Sequence, residues 1–224
     1  MTEPIAIDHL AVDHLAIDHL AIAAATLDDG LAYVRDALGV DLPTGGAHPR
    51  MATHNRVLRL GAACYLEVIA IDPGAPPPAR PRWFGLDDAA LQAELRRSPR
   101  LLTWVVRTPD IAGLARASRV PLGAVEPMTR GDLHWQITIP ADGALVDHGA
   151  IPSLIAWPAG PHPASRMPDL GCSLERFTIA HPDPARLRAD LAAIGAGREV
   201  TITAGPKVAL RAGIGTPSGI RTLG

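Results

Sequence analysis

Cysteine, aromatic residues and long apolar runs are all scarce in this chain, and each shortage closes off a class of protein. Two cysteines, Cys64 and Cys172, cannot build a disulfide framework, so the fold must rest on a packed core. Cys64 stands within an apolar run, where a buried small hydrophobe is the default reading. A reducing compartment fits, and a cytoplasmic location is the expectation. No apolar stretch approaches the roughly 20 residues that a membrane helix requires. The N-terminal segment is broken by Asp8, Asp13 and Asp18, so it lacks the basic and continuous apolar regions of a secretory signal. The net charge of −2 gives no general attraction to nucleic acid or to an anionic membrane, and neither is expected as a partner. Aromatic residues make up only 4% of the chain, yet four of them are tryptophans placed in separate segments.

Apolar residues make up 47% and charged residues 20% of the 224, which suits a globular protein with a sizeable core. The strongest pattern is a strand running straight into a capped helix, and it occurs three times. In the first copy, Leu20 to Ala23 leads to Thr26, then to Leu27, Leu31, Val34 and Leu38 at helical spacing. Asp28 and Asp29 sit where the helix dipole favours them, and Gly39 is a stop. In the second copy, Leu101 to Val106 leads to Thr108-Pro109-Asp110 and a short helix through Leu114. In the third, Phe177-Thr178-Ile179 leads to His181-Pro182-Asp183. There Pro184 takes the first helical position, and Leu187, Leu191 and Ile194 form the stripe.

Strand signals follow each helix: residues 55–60 and 64–71, then 133–139 and 151–157, then 199–203, 208–214 and 220–223. The expected organisation is α+β, a βαβββ module repeated at 17–72 and 101–158. The two modules pair into one domain over 17–158, and 173–224 forms a third unit of the same kind. Residues 72–82 hold five prolines and read as a connector. Residues 87–97 read as an extra helix. Unpaired sheet edges in the third unit would suit a homodimer or another assembly role.

Residues 1–16 form an arm with a smaller repeat. Asp8-His9-Leu10, Asp13-His14-Leu15 and Asp18-His19-Leu20 recur at a period of five. An odd period sends successive strand residues to opposite faces, so one strand cannot aim all three histidines at one site. His19, joined directly to the first helix, is the copy expected to matter.

Several of these segments resemble the glyoxalase-like domain of the vicinal oxygen chelate superfamily. The resemblance lies in Asp18-His19-Leu20, in His48-Pro49 and Thr53-His54-Asn55, in Leu58-Arg59-Leu60-Gly61 and in the run from Tyr65 to Asp72. It continues through Pro81 to Asp87, Thr103 to Thr108, Arg130 to Leu133 and Leu154 to Trp157, covering roughly residues 17–180. It implies repeated βαβββ modules whose cupped mixed sheets enclose a small-molecule site. The superfamily hosts lyases, dioxygenases, epimerases and ligand-sequestering proteins, so the resemblance names a fold before an activity. In its metal-using members the first strand of each module gives a histidine and the last a glutamate. His19 and Glu67 match those positions. Aligning the second module by its elements puts Thr103 opposite His19 and Ala156 opposite Glu67, so half of that ligand set is missing.

His54 lies on the strand before Glu67, across a tight hairpin. His19, His54 and Glu67 would make a two-histidine, one-carboxylate set suited to a divalent metal, iron, manganese or zinc. The alternative is that His54 and Asn55 hydrogen-bond buried groups and shape a pocket without metal. Glu67 interrupts an apolar run, and a buried carboxylate must be paired or ligated. With His54 it is the candidate catalytic residue, as a general base. Trp104, Trp135 and Trp157 are candidates to stack a small-molecule substrate, although core packing is an equal reading for each. Asn55 and Arg130 complete the candidate substrate contacts, Arg130 for a carboxylate or phosphate. His162 carries no assigned chemistry. Two functions stay open: a small-molecule enzyme of lyase, isomerase or dioxygenase type, and a metal-free binding or sequestering protein.

Overall fold

A computed structural model describes residues 15–224. Of the first two Asp-His-Leu copies only Leu15 falls within it, so the expectation for the N-terminal arm lies almost wholly outside the described residues. Strand β1 (Ala16–Ala23) runs into helix α1 (Leu27–Leu38). The junction is sharp because the Thr26 side chain accepts the backbone N–H of Asp29, and Gly39 ends the helix at φ 73°. Strands β2 (Thr44–His48), β3 (Thr53–Arg59) and β4 (Tyr65–Ile71) follow. A connector bearing the short helix α2 (Ala89–Leu95) leads to the second module. That module comprises β5 (Arg100–Arg107), α3 (Ile111–Ala117), β6 (Ala124–Arg130), β7 (Leu133–Ile139) and β8 (Ser153–Ala156).

These strands form one eight-stranded mixed sheet in the order β2-β3-β4-β1-β5-β8-β7-β6. β1 and β5 are antiparallel at its centre, and each pairs in parallel with the last strand of its own module, β4 or β8. The fold is therefore α+β, two βαβββ modules making one cupped sheet. Its curl brings the outer edges together. Arg50, just past β2, donates to the carbonyl of Pro127 and pairs with Glu126, both on β6. The edge strands β2 and β6 were not among the strands expected from the sequence. Gly45, Gly46 and Pro127 weaken their strand signal, and an edge is where a sheet tolerates a residue that cannot donate a ladder bond.

The central pair is symmetric about Leu20 opposite Trp104. Ile17 pairs with Val106 and His19 with Val105, then Ala21 with Thr103 and Ile22 with Leu101. Asp18 and Leu102 are thus left out as single-residue bulges at equivalent positions. A bulge lets two successive side chains face the same way, which is how Asp18 and His19 both reach the inner face.

The sheet has two buried faces. On the outer face Leu20, Leu66, Val68, Trp104 and Val106 pack with Val34 and Leu38 of α1 and with Phe177, Ile179 and Leu191 from the C-terminal part. On the inner face Ile69, Leu102, Val105, Met128, Trp135, Ile137 and Ile155 pack with Trp83, Phe84 and Leu86 of the connector, which fills much of the cup. Each such buried side chain contributes about 1.5–3 kcal/mol. The C-terminal part has β9 (Ser173–His181), α4 (Pro184–Ala193), β10 (Val200–Ala204), β11 (Ala209–Thr216) and β12 (Gly219–Leu223). It repeats the element order of the modules with a different pairing, a separate four-stranded sheet ordered β10-β9-β11-β12.

Candidate functional site

Strand parity decides which side chains enter the cup. On β4, Tyr65, Glu67 and Ile69 face inward. On β3, Asn55 pairs with Ile69 and Val57 with Glu67, so Thr53, Asn55 and Val57 share that face. One narrow inner cavity is lined by residues of both modules and the connector. His19, Asn55, Glu67, Arg130, Trp135 and Trp157, all expected from the sequence, line it together with His48, Tyr65, Trp83 and Phe84.

Two of the expected residues are not there. His54 lies between the inward Thr53 and Asn55, so it faces outward with Arg56 and Leu58, away from Glu67. Its Nε2 is buried without a hydrogen-bond partner. Trp104 alternates with the inward Thr103 and Val105. It packs against Phe177 on the outer face, 5.3 Å between ring centres, and donates its indole N–H to the carbonyl of Ala150. Both expectations need correcting for the same reason, because a one-residue step along a strand reverses the face.

Asp18 anchors the site. It is fully buried, and its carboxylate is approached by His19 Nδ1 at 2.7 Å, Trp157 Nε1 at 2.8 Å and His162 Nε2 at 2.9 Å. Burial alone would raise its carboxyl; the hydrogen bonds from His162 and His19 outweigh burial and hold it well below the usual carboxylate range. His162 therefore does have a role, which its distance of 144 residues from Asp18 hid from the sequence. The backbone N–H of Ala164 donates to His162 Nδ1, so the proton of that ring sits on Nε2 and points at Asp18. The same carboxylate holds His19 Nδ1, which turns His19 Nε2 toward the cavity and Glu67.

His19 Nε2 lies 3.8 Å from Glu67 Oε2. Glu67 is held at its other oxygen, where Asn55 Nδ2 donates at 2.6 Å. The Asn55 amide is oriented in turn, since its carbonyl oxygen accepts from the Gly46 N–H and from Arg130 Nη1. Tyr65 stacks flat on His19 with ring centres 4.6 Å apart, and burial raises its phenol well above the usual value, so it remains neutral. His48, at the end of β2, is the imidazole missed with its strand. Burial lowers its pKa to about 4, partly offset by the nearby Glu67 charge, and it is neutral at neutral pH.

The two bulges put Thr103 at the place of His19. The register of the parallel pairs puts Ser153 at the place of Glu67, because Ala21 pairs with Glu67 and Val105 with Ser153. The alignment that put Ala156 there is off by three residues. By the same ladders Ile137 answers Asn55 and Met128 answers His48. Thr103 and Ser153 line a neighbouring cavity that shares Trp83, Phe84 and Ile137 with the first.

The model of the glyoxalase-like domain family matches residues 17–195. The chain belongs to the glyoxalase-like domain family. A crystal structure of a hypothetical protein from Staphylococcus aureus shares the fold at TM-score 0.62 and 14% identity, covering 87% of this chain and 88% of that one. The Streptomyces coelicolor methylmalonyl-CoA epimerase matches at 21% identity and TM-score 0.43 over 67% of this chain and 99% of its own. The Mycobacterium tuberculosis methylmalonyl-CoA epimerase matches at 19% identity and TM-score 0.41 over 67% and 94%. No curated protein matches the sequence. Proteins of this superfamily often hold divalent metals, but the donors of this glyoxalase-like chain do not fit such an ion. Of the four symmetry-related positions two bear hydroxyls. Among the described residues no three His, Cys, Asp or Glu side chains form a group able to hold a metal. No helix of this glyoxalase-like protein, among the described residues, is long and apolar enough to cross a membrane.

Proposed function

We propose that this glyoxalase-like protein is a small-molecule enzyme of isomerase or lyase type, which moves a proton at a carbon beside a carbonyl. The observation that carries the reading is the convergence of two proton-carrying groups, His19 Nε2 and Glu67 Oε2, 3.8 Å apart in a buried cavity. Each is held by a partner on its far side, Asp18 for His19 and Asn55 for Glu67. Preorganised groups at such a distance suit general acid–base work. Glu67 Oε2 takes the proton, the C–H electron pair moves onto the carbonyl oxygen as an enolate, and the carboxyl returns the proton to the same carbon or to its neighbour. His19 Nε2 is a second proton carrier that can take the proton from Glu67 and give it back from another direction. The imidazolium so formed is stabilised by the Asp18 carboxylate. Of the four symmetry-related positions only His19 and Glu67 would offer iron, manganese or zinc a strong side-chain donor, and the proton transfer is assigned to the side chains themselves.

The reading is tested by solvent exchange. Carbonyl compounds with acidic C–H groups, neutral and carboxylated, are incubated with the protein in D₂O and followed by proton NMR. Deuterium should enter the carbon beside the carbonyl of at least one compound, and Glu67→Gln should abolish this. Absence of exchange above the Glu67→Gln background across the set would leave the binding or sequestering alternative in its place.

A further inference from the structure

Resting on that reading of the pocket, the geometry points to a substrate that carries a carboxylate, held by Arg130 where the two sheet edges meet. Arg130 is the last residue of β6, in the second module, yet it reaches across the seam to the first. Its Nη1 donates to Asn55 Oδ1 at 2.7 Å. Gly46 on β2 makes room for it, since a Cβ there would stand only 3.1 Å from Arg130 Cδ. Neighbouring arginines at this seam already have a carboxylate partner: Arg50 and Arg80 share Glu126. Arg130 lines the cavity, and among the described residues no carboxylate comes within ion-pair distance of it. Asn55 uses one of its five N–H groups. The partly buried guanidinium keeps spare N–H groups beside an aromatic-walled cavity, with the Glu67 charge one amide away, and its planar fork matches a carboxylate.

Trp83 also lines the cavity, as part of its aromatic wall. The cavity thus offers spare donors from Arg130, and His19 and Glu67 as proton-transfer groups. A carbon acid with a carboxylate complements both sets. One guanidinium beside the Glu67 carboxylate favours a monoanion over a dianionic phosphate. Trp135 and Trp157, in tilted contact with ring centres 5.4 Å apart, form one aromatic wall against which a planar body can pack. The inferred class is a planar organic monocarboxylic acid with its acidic C–H placed toward Glu67.

Benzoate and benzamide test this without turnover, because neither can enolise. Titration calorimetry on the full chain should show benzoate binding at least about tenfold more tightly than benzamide. Arg130→Gln should reduce benzoate to the level of benzamide. Arg130→Lys, which keeps the charge and loses the fork, should fall between, with circular dichroism reporting an intact fold. Glu67→Gln should keep or strengthen benzoate binding while losing proton exchange. Failure of exchange with benzoate binding intact would overturn the catalytic reading alone. Equal affinity for the two probes, no benzoate binding at ~10 mM, or undiminished benzoate binding by both Arg130 variants would overturn the carboxylate proposal. So would displacement of benzoate by inorganic phosphate at equal concentration.

Discussion

The two halves of the eight-stranded sheet share strand order, central register and bulge position, yet they differ in what they carry into the cup. The first half brings Asp18, His19, His48, Asn55 and Glu67 inward; the matching places in the second half hold Leu102, Thr103, Met128, Ile137 and Ser153. The backbone is symmetric and the chemistry is not. Burying a carboxylate and its donors is expensive, and it succeeds only as a complete network. Asp18 has three donors and Glu67 has Asn55, so both buried carboxylates of the first half are hydrogen-bonded. The second half avoids the cost with apolar residues and hydroxyls. What it supplies instead is wall and reach: Trp135, Trp157 and Arg130 extend over the first half's polar centre.

The comparison is broken most directly at Glu67 and its counterpart. Glu67→Gln should lower exchange by about 10²–10⁴-fold, the range for losing a general base, while Ser153→Ala should change it by less than about threefold. Comparable losses in both would mean that the halves share the chemistry. Asp18→Leu, which copies Leu102 into the first half, should cost about 3–5 kcal/mol in urea unfolding, because His19, His162 and Trp157 lose their common acceptor. A neutral result would show that the network is not needed by the fold.

A smaller effect separates His48 from Met128. Its pKa of about 4 lies below the unfolded value, so between about pH 6.5 and pH 4 the unfolded chain binds a proton that the folded chain does not. Stability from this group is present above that window and is lost as pH falls through it, by up to about 3 kcal/mol. His48→Gln should flatten the wild-type decline in urea midpoint across that window, and an unchanged slope would contradict the burial argument. The smallest expected effect is at His54. Facing outward, His54→Gln should leave exchange within about twofold of wild type. A loss like that of Glu67→Gln would return His54 to the site.

Much of this was legible in the residues. Thr26, Asp110 and Asp183 cap the helices that the strand–helix pattern expects, and the strands holding Glu67 and Trp135 run where alternation puts them. These features are local: a cap acts over three residues and alternation over two, so neighbours in sequence suffice to define them. His19, Glu67, Asn55 and Arg130 were candidates for the same reason, as polar residues in or beside apolar strands. Other features needed partners far along the chain. Whether His54 or Asn55 faces Glu67 depends on β3 pairing with β4 in one register, and a step of one residue would have exchanged them. The bulge at Asp18 exists only against β5, nearly ninety residues on, and it breaks the alternation that would have sent Asp18 away from His19. Strands β2 and β6, with Gly45, Gly46 and Pro127, have little preference of their own and are held in place by the sheet they border. His162 and Arg130 meet Asp18 and Asn55 only after the sheet has curled, because side-chain networks form where long-range packing brings separate segments together, and local propensity carries no record of those meetings.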